Sequence, residues 1–409
     1  MMKLSQFGPG ALVAAAFIGP GTVVTASLAG AEFGYALLWA LMLSTVICAV
    51  LQEMASRIGV ITGNGLGENI RSQMTTPWLR VLFFTLIIAA IVVGNSVYQG
   101  GNLSGATLGA QEVLGQVPLL SDWFAQGWPL VFGVLAAAIL WQGKAKFIEY
   151  ALITLVLLMS LAFIGTFLLT DPNWLGVADS LLRWRWPSDG IITVIALVGT
   201  TVVPYNLFLH SASVANKWSG DDGVKQARLD TFISIPLGGL ISMAILATAA
   251  SAFFAQGIVI ESAGDLAVAL APLFGDSAKY LMALGLCAAG ISSATTAPLA
   301  SAYALCGIMG WKQSLTGFAF RAIWATILVL GVVISSLDLS PIKVIWFAQV
   351  ANGILLPVIV GFIWWLCNQS TMGHMKNSIV GNAFAAIIML TSIVLSWKSL
   401  HHVWLSVTG

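Results

Sequence analysis

The sequence predicts an all-α integral membrane protein with eleven transmembrane helices, ten of which form a 5+5 inverted repeat. Three observations lead to this prediction. The chain is 58% hydrophobic and only 8% charged, whereas a soluble domain carries about 25% charged residues. Eleven apolar stretches approach or exceed the length of about 20 residues that crosses a bilayer. Two of these stretches are interrupted by proline at corresponding places in the two halves of the chain.

The apolar stretches, numbered here as spans 1 to 11, follow one another with short connections. Span 4 is short and is bounded by Trp128-Pro129 and a Gly-Lys turn, so we expect it to tilt or barely to cross the bilayer. The approximate ranges are 9–33, 36–58, 79–103, 128–142, 147–170, 190–215, 231–256, 278–306, 318–336, 341–366 and 379–397.

The spans divide into two halves of five, followed by one more. Residues 1–170 form the first predicted repeat, 171–189 an external linker, 190–366 the second repeat, and 367–409 an additional span. Because five is an odd number, the second half must have the opposite topology from the first. Inverted repeats of this kind are typical of secondary transporters.

The distribution of Lys and Arg predicts the orientation of the chain. With the N-terminus placed in the cytoplasm, twelve of the 17 basic side chains lie inside. The five outside are Arg183, Arg185, Lys279, Lys343 and Lys398. The positive-inside rule therefore favours a cytoplasmic N-terminus and an external C-terminus.

The interruptions in spans 1 and 6 lie at Pro20 and Pro204. Proline removes a backbone donor and obstructs the preceding helical turn. Unwound backbone survives at membrane depth only where it lines a cavity or is buried in protein. Paired breaks in the two halves therefore indicate a substrate site at the midplane. The alternative is a pair of ordinary proline kinks.

Several other classes of function have little support. A net charge of +1 offers no basic field for nucleic acid. The chain has no phosphate loop, nucleophile elbow or metal-hydrolase helix, so we expect neither enzyme chemistry nor a cofactor. A channel remains an alternative, but channels usually carry filters of repeated carbonyls or charged rings. The predicted partners are the lipid bilayer, a small-molecule or ion substrate, and a coupling ion.

Five segments carry recognisable motifs, at residues 8–35, 51–63, 204–211, 288–296 and 349–357. Together they resemble the natural resistance-associated macrophage protein (NRAMP) family of divalent-metal transporters. The resemblance covers essentially the whole chain. It implies a LeuT-type fold with broken helices 1 and 6, alternating access around a site between them, and residence in a bacterial inner (plasma) membrane.

The chain departs from the family at the metal-site motifs. Where the family has Asp-Pro-Gly-Asn, residues 19–22 read Gly-Pro-Gly-Thr, and where it has Met-Pro-His, residues 203–205 read Val-Pro-Tyr. The acidic pair of the family's third span is matched by Gln99 and Asn102. The family's usual manganese or iron site is thus dismantled, because its carboxylate and thioether ligands are missing. From the sequence alone, we assign no residue as a metal ligand.

The sequence is compatible with three classes of substrate. The resemblance favours a divalent metal, and a partly hydrated magnesium ion would suit a neutral site best. Considered without the family, the site favours a small organic solute such as an amino acid or carboxylic acid, because two half-helix N-termini point positive dipole ends into it. In either case the predicted substrate contacts are Gly19, Gly21, Thr22, Val203, Tyr205, Asn206, Gln349 and Asn352.

His210 is the predicted coupling residue, with Gln99 and Asn102 lining a polar path beside it. It is the one histidine inside a predicted span, and imidazole changes charge near neutral pH. The alternative role is a structural hydrogen bond between helices. A proton is favoured over sodium, for which the hydroxyls of Ser292, Ser293 and Thr296 are the weaker candidate site.

Glu53 and Arg57 are the predicted cytoplasmic gate. They stand four residues apart near the end of span 2, a spacing that places both on one helix face. A plain interfacial ion pair is the alternative and the favoured interpretation. The mixed-charge segment 217–230 that precedes span 7 is expected to be a solvated linker.

Overall fold

The computed structural model describes residues 8–10, 13, 18–114, 127–142, 146–170, 172–187, 190–337 and 339–408, and most of these residues are helical. Helices occur at all eleven predicted places. Span 1 continues as Pro20–Phe33 after its break, and span 6 consists of Ile191–Thr201 and Pro204–Ala215. The others are Leu38–Thr62, Pro77–Leu114, Trp128–Gln142, Lys146–Leu169, Gly220–Phe253, Ala278–Met309, Phe318–Ser335, Pro341–Cys367 and Ile379–Thr408.

Length and composition show how many of these helices cross a membrane. In the described residues, eight helical runs are long and apolar enough, or nine if one bent pair is a single span. The run Pro20–Thr62 contains both span 1 and span 2, which explains part of the difference from eleven. Span 4 has 15 residues and falls short of the length criterion, in agreement with the expectation that it is a marginal span.

The connections contain more helix than the sequence predicts. Short helices occur at Leu66–Gln73, Ala263–Val268 and Ala271–Phe274. The predicted external linker 171–189 contains a further helix, Trp174–Leu182, which is capped by the Asn173 side chain. It packs against span 2. The described part of the linker is therefore structured.

Aromatic residues around Trp39 organise this part of the surface. The Trp39 indole Nε1 donates to the carbonyl of Arg185 over 3.0 Å, and its ring stacks on Trp184 with 5.4 Å between centroids. Asp179 pairs with both Arg183 and Arg185. The two arginines that oppose the predicted orientation are therefore both ion-paired to one carboxylate on the linker helix.

Small residues let the spans approach closely in the interior. Span 3 packs along spans 8, 9 and 10, and span 7 packs along spans 1 and 2. At Gly30 a Cβ atom would lie only 2.2 Å from the Leu246 carbonyl oxygen. Helices in membranes associate through this kind of close backbone contact. Many large apolar side chains on spans 9 and 11 are instead exposed, as expected for surfaces that face lipid.

The segment 217–230 is a helix rather than a linker for most of its length, although the charged side chains at 221, 222, 225 and 228 are exposed as predicted. Span 7 begins at Gly220, and Asp221 and Asp222 occupy its first turn, where carboxylates stabilise a helix N-terminus. Asp230 then accepts a 2.7 Å hydrogen bond from the backbone N–H of Gly10. The charges on this segment therefore begin a helix and hold it against span 1.

Candidate functional site

The backbone of both interrupted spans departs from helical geometry at the predicted places. In span 6, Val202 and Val203 have ψ values of 80° and 120°, and the helix restarts at Pro204. In span 1, Gly19 is extended, with φ −99° and ψ −175°, and the helix restarts at Pro20. Neither restarted helix has a side-chain N-cap. Span 6 is therefore broken rather than kinked, and the described part of span 1 is consistent with the same geometry.

A hydroxyl pair joins the two broken spans. The Thr22 and Thr200 Oγ1 atoms are 2.9 Å apart and share a hydrogen bond. Both side chains are almost completely buried. Thr22 lies in the first turn after one break, and Thr200 lies just before the other. The predicted contact residue Thr22 is thus at the junction of spans 1 and 6.

Span 10 completes the site with two carboxamides. At Gly21 a Cβ atom would lie 2.4 Å from Gln349 Nε2, and at Gly199 it would lie 1.9 Å from the Gln349 carbonyl oxygen. The Asn352 Nδ2 donates to the Gly199 carbonyl over 3.4 Å. The absence of side chains at Gly21 and Gly199 is therefore what lets span 10 reach both breaks.

Several polar atoms at this junction have no hydrogen-bond partner although they are buried. They are Gln349 Oε1, Asn352 Oδ1, both carboxamide atoms of Asn206, and Thr25 Oγ1. A buried polar group without a partner carries a desolvation penalty of about 1–3 kcal/mol. In native proteins such groups are usually paired with protein or with ordered water, so each of these calls for a partner that the protein itself does not supply. All but the Asn206 Nδ2 amide are oxygens able to accept a hydrogen bond or coordinate a cation.

Val203 contributes shape to the site, whereas Tyr205 contributes an aromatic ring and a buried hydroxyl. Val203 is buried and its side chain is apolar. The Tyr205 ring packs against the Tyr98 ring of span 3 at 5.3 Å between centroids. In the part of the chain that the structure describes, no three His, Cys, Asp or Glu side chains are grouped so that they would hold a metal ion. The site that these residues form is neutral and rich in oxygen.

His210 lies beyond the break in span 6 and is fully buried. Its Nδ1 forms a 2.8 Å hydrogen bond with Gln52 Oε1 on span 2, whereas its Nε2 has no partner. Because the amide oxygen only accepts, Nδ1 carries the proton and Nε2 has a free lone pair. Sequence reasoning missed Gln52 as a site residue, and only its place in the span 2 motif hinted at a role.

The other predicted polar residues bond mainly within the protein. Gln99 Nε2 donates to the Ala294 carbonyl on span 8 over 3.0 Å, and Asn102 Nδ2 lies 3.5 Å from Gln99 Oε1. Both side chains are buried. In the sodium candidate, Thr296 Oγ1 donates to the Ser292 carbonyl of its own helix. Of these contacts, the one from Gln99 to Ala294 joins spans 3 and 8.

The predicted gate pair is part of a larger network. Arg57 Nε and Glu53 Oε1 are 3.0 Å apart, and the same carboxylate oxygen accepts from Arg228 Nε over 2.8 Å. Arg57 also donates to the Met375 carbonyl and to Asn377 Oδ1. The network therefore ties span 2 to span 7 and to the turn before span 11. The sequence alone did not indicate Arg228 or Asn377.

Comparison with known proteins adds a family and a fold. The family described as natural resistance-associated macrophage protein-like (Nramp) matches residues 10–402. A divalent metal cation transporter MntH of Deinococcus radiodurans is 29% identical over 414 residues, covering 97% of this chain and 90% of that protein. Another MntH, of Verminephrobacter eiseniae, is 27% identical over 397 residues, covering 95% and 86%.

Solved structures confirm the predicted LeuT-type fold. A mutant of the Eremococcus coleocola manganese transporter matches with a TM-score of 0.76 and 21% identity, covering 98% of this chain and 86% of that one. MhsT in complex with L-phenylalanine matches with a TM-score of 0.58 and 17% identity, covering 96% and 97%. One architecture therefore serves both a metal carrier and a protein crystallised with an amino acid.

Proposed function

Because the chain belongs to the Nramp family of membrane transporters, we propose that it is a secondary active carrier of a partly hydrated divalent cation of the magnesium type. The cation would bind between spans 1 and 6. Rocking of spans 1, 2, 6 and 7 against spans 3, 4, 8 and 9 would expose this site to each side of the membrane in turn. The named relatives are divalent metal cation transporters, and this supports a cation as the substrate class.

The observation that carries the proposal is the set of buried, unpartnered carboxamide oxygens. Gln349, Asn352 and Asn206 each present one. Neutral oxygens are suitable ligands for a hard cation such as Mg²⁺, which gives up its water reluctantly. Soft transition metals are better held by sulfur and imidazole ligands. The described residues offer no cluster of His, Cys, Asp or Glu, and oxygen ligands suit manganese as well as magnesium, so the site should show little preference for manganese or iron over magnesium.

Charge explains why the cation would keep part of its water. An isolated divalent charge within the membrane requires compensation, and the residues joined at this site are neutral. Retained water spreads the charge over a larger radius and so lowers the desolvation penalty. Gly19 and Gly21, which have no side chain, leave backbone rather than side-chain atoms beside such a hydrated ion.

Uptake into proteoliposomes tests the proposal. We expect saturable magnesium uptake by the unmodified protein and its loss in Gln349→Ala and Asn352→Ala. Asn368→Ala is the matched control, because Asn368 is an exposed amide on the C-terminal cap of the same helix. Efficient manganese uptake that is saturable, abolished by Gln349→Ala and strongly preferred over magnesium uptake would contradict the proposed selectivity.

A small organic solute with a carboxylate is the second candidate. Asn206 Nδ2 is a buried donor without a partner, and the helices that begin at Pro20 and Pro204 have no side-chain cap. A carboxylate would satisfy such donors. A thermal-shift screen of the purified protein with divalent metals, amino acids and short carboxylic acids separates the candidates, since a ligand of the folded state raises the melting temperature.

Coupling to protons is the mechanism we propose for accumulation. The free lone pair on His210 Nε2 gives the ring a place to take up a proton, and the bond from Nδ1 to Gln52 holds the ring in position. The amides of Gln99 and Asn102 do not titrate. They would line the polar path without carrying the proton themselves.

A further inference from the structure

A cleft with a volume of about 580 Å³ lies away from the substrate site, at the end of the bundle that the Lys/Arg distribution assigns to the cytoplasm. Spans 2, 7 and 11 and the turn before span 11 form its walls. The basic side chains at its lining are Arg57, Arg228 and Lys376, together with His374. Glu53 is the acid at the lining.

The two arginines in this cleft differ in how many hydrogen bonds they already make within the protein. Arg57 donates to Glu53, Met375 and Asn377 and is almost fully buried. Arg228 uses only its Nε, on Glu53, and its side chain is 44% exposed. Its two terminal amino groups make no hydrogen bond to another residue in the described part of the chain. They form a fork that matches the oxygens of a phosphate.

The charge of the cleft favours an anion. Glu53 and Arg57 cancel, which leaves Arg228 and Lys376 as the excess. Lys376 is exposed and has no salt bridge within the residues that the structure describes. At the lining, His374 Nε2 lies 3.0 Å from Asp221 Oδ2, and Asp221 itself is not one of the lining residues.

Apolar side chains flank the basic groups on two sides. Phe232 of span 7 and Phe384 of span 11 both line the cleft, and they are 50% and 48% exposed. Each continues along an exposed apolar helix surface, with Ile233 beside Phe232 and Ile387 one turn beyond Phe384. Helix surfaces of this kind face acyl chains in a membrane. The cleft therefore opens where a lipid-facing surface meets the basic end of the bundle.

We propose that this cleft binds the phosphate headgroup of an anionic phospholipid. Arg228 would hold the phosphate with its terminal amino groups, Lys376 would provide the second positive charge, and the acyl chains would lie along Phe232 and Phe384. Basic pockets between transmembrane helices on the cytoplasmic side are suited to such headgroups. A soluble anion would satisfy the two cations but would leave both aromatic side chains without a partner.

Native mass spectrometry and melting temperature of the full-length protein in detergent test the proposal. The probes are phosphatidylglycerol, phosphatidylcholine and inorganic phosphate. We expect phosphatidylglycerol to be retained and to raise the melting temperature, and the other two to have little effect. Arg228→Gln with Lys376→Gln should weaken the apparent affinity for phosphatidylglycerol about 25-fold, at about fivefold for each cation.

The matched control is Lys225→Gln with Lys312→Gln, two exposed lysines assigned to the same side of the membrane. This variant loses the same charge and should bind phosphatidylglycerol as the unmodified protein does. If loss of the Arg228 contact to Glu53 prevents folding, Lys376→Gln alone replaces the double variant. This single variant should weaken phosphatidylglycerol binding about fivefold. Equal retention of phosphatidylcholine, full phosphatidylglycerol binding by the variants, or equal stabilisation by inorganic phosphate would each overturn the proposal.

Discussion

Replacement of Gly199 by alanine should separate spans 6 and 10. A Cβ atom at this position would lie 1.9 Å from the Gln349 carbonyl oxygen and 2.9 Å from the Gly353 amide nitrogen. Ordinary van der Waals contact begins at 3.4 Å. Because both obstructing atoms belong to the backbone, the clash cannot be relieved by a change of rotamer, and the helices must move apart by about 1.5 Å.

The magnitude follows from two opposing effects. Overpacking of a well-packed interior costs about 1–3 kcal/mol, whereas alanine in place of a helical glycine otherwise gains about 0.5–1 kcal/mol. Gly361→Ala on span 10 is the matched control, because its Cβ would meet only the Met389 methyl group at 3.6 Å. The helical gain applies to both variants and cancels, so Gly199→Ala should be less stable than Gly361→Ala by about 1–3 kcal/mol.

Thermal unfolding in detergent and uptake into proteoliposomes measure this difference. Gly199→Ala should melt below both the unmodified protein and Gly361→Ala. Its uptake should also fall, because the shift moves Gln349 away from the two breaks. If Gly199→Ala melts with the control and transports normally, the close approach of spans 6 and 10 described above is wrong.

Three further changes have defined outcomes. His210→Ala should abolish accumulation driven by a pH gradient while leaving exchange of substrate across the membrane; accumulation that persists would remove the proposed coupling role. Glu53→Gln should destabilise the protein by about 3–5 kcal/mol, since it leaves a buried arginine without its counter-charge, and an unchanged melting temperature would contradict this. Gly19→Asp combined with Thr22→Asn and Val203→Met should increase transition-metal binding, as measured by calorimetry, because it restores a carboxylate and a thioether; no gain in binding would mean that the pocket differs elsewhere too.

The site was only partly predictable from local sequence. Gln349 and His210 stand out because they belong to recognisable motifs. Pro20 and Pro204 stand out because proline cannot continue a helix. The partners of these residues were not apparent. Gln52 beside His210 and Arg228 beside Glu53 lie far from them along the chain, and their contacts depend on how each helix is rotated about its axis.

Hydropathy and proline chemistry by themselves determined that this chain crosses a membrane, roughly where it crosses, and where it unwinds, because each of these depends on residues that are neighbours in sequence. The helix within the 171–189 linker depends on a cap from Asn173 and on packing against span 2, and span 7 begins at Gly220 with two acids in its first turn. The tertiary structure alone decided that Thr22 meets Thr200 and that Gly21 and Gly199 admit span 10. Contacts between distant helices depend on the tilt, rotation and close approach of whole helices, which no local pattern records.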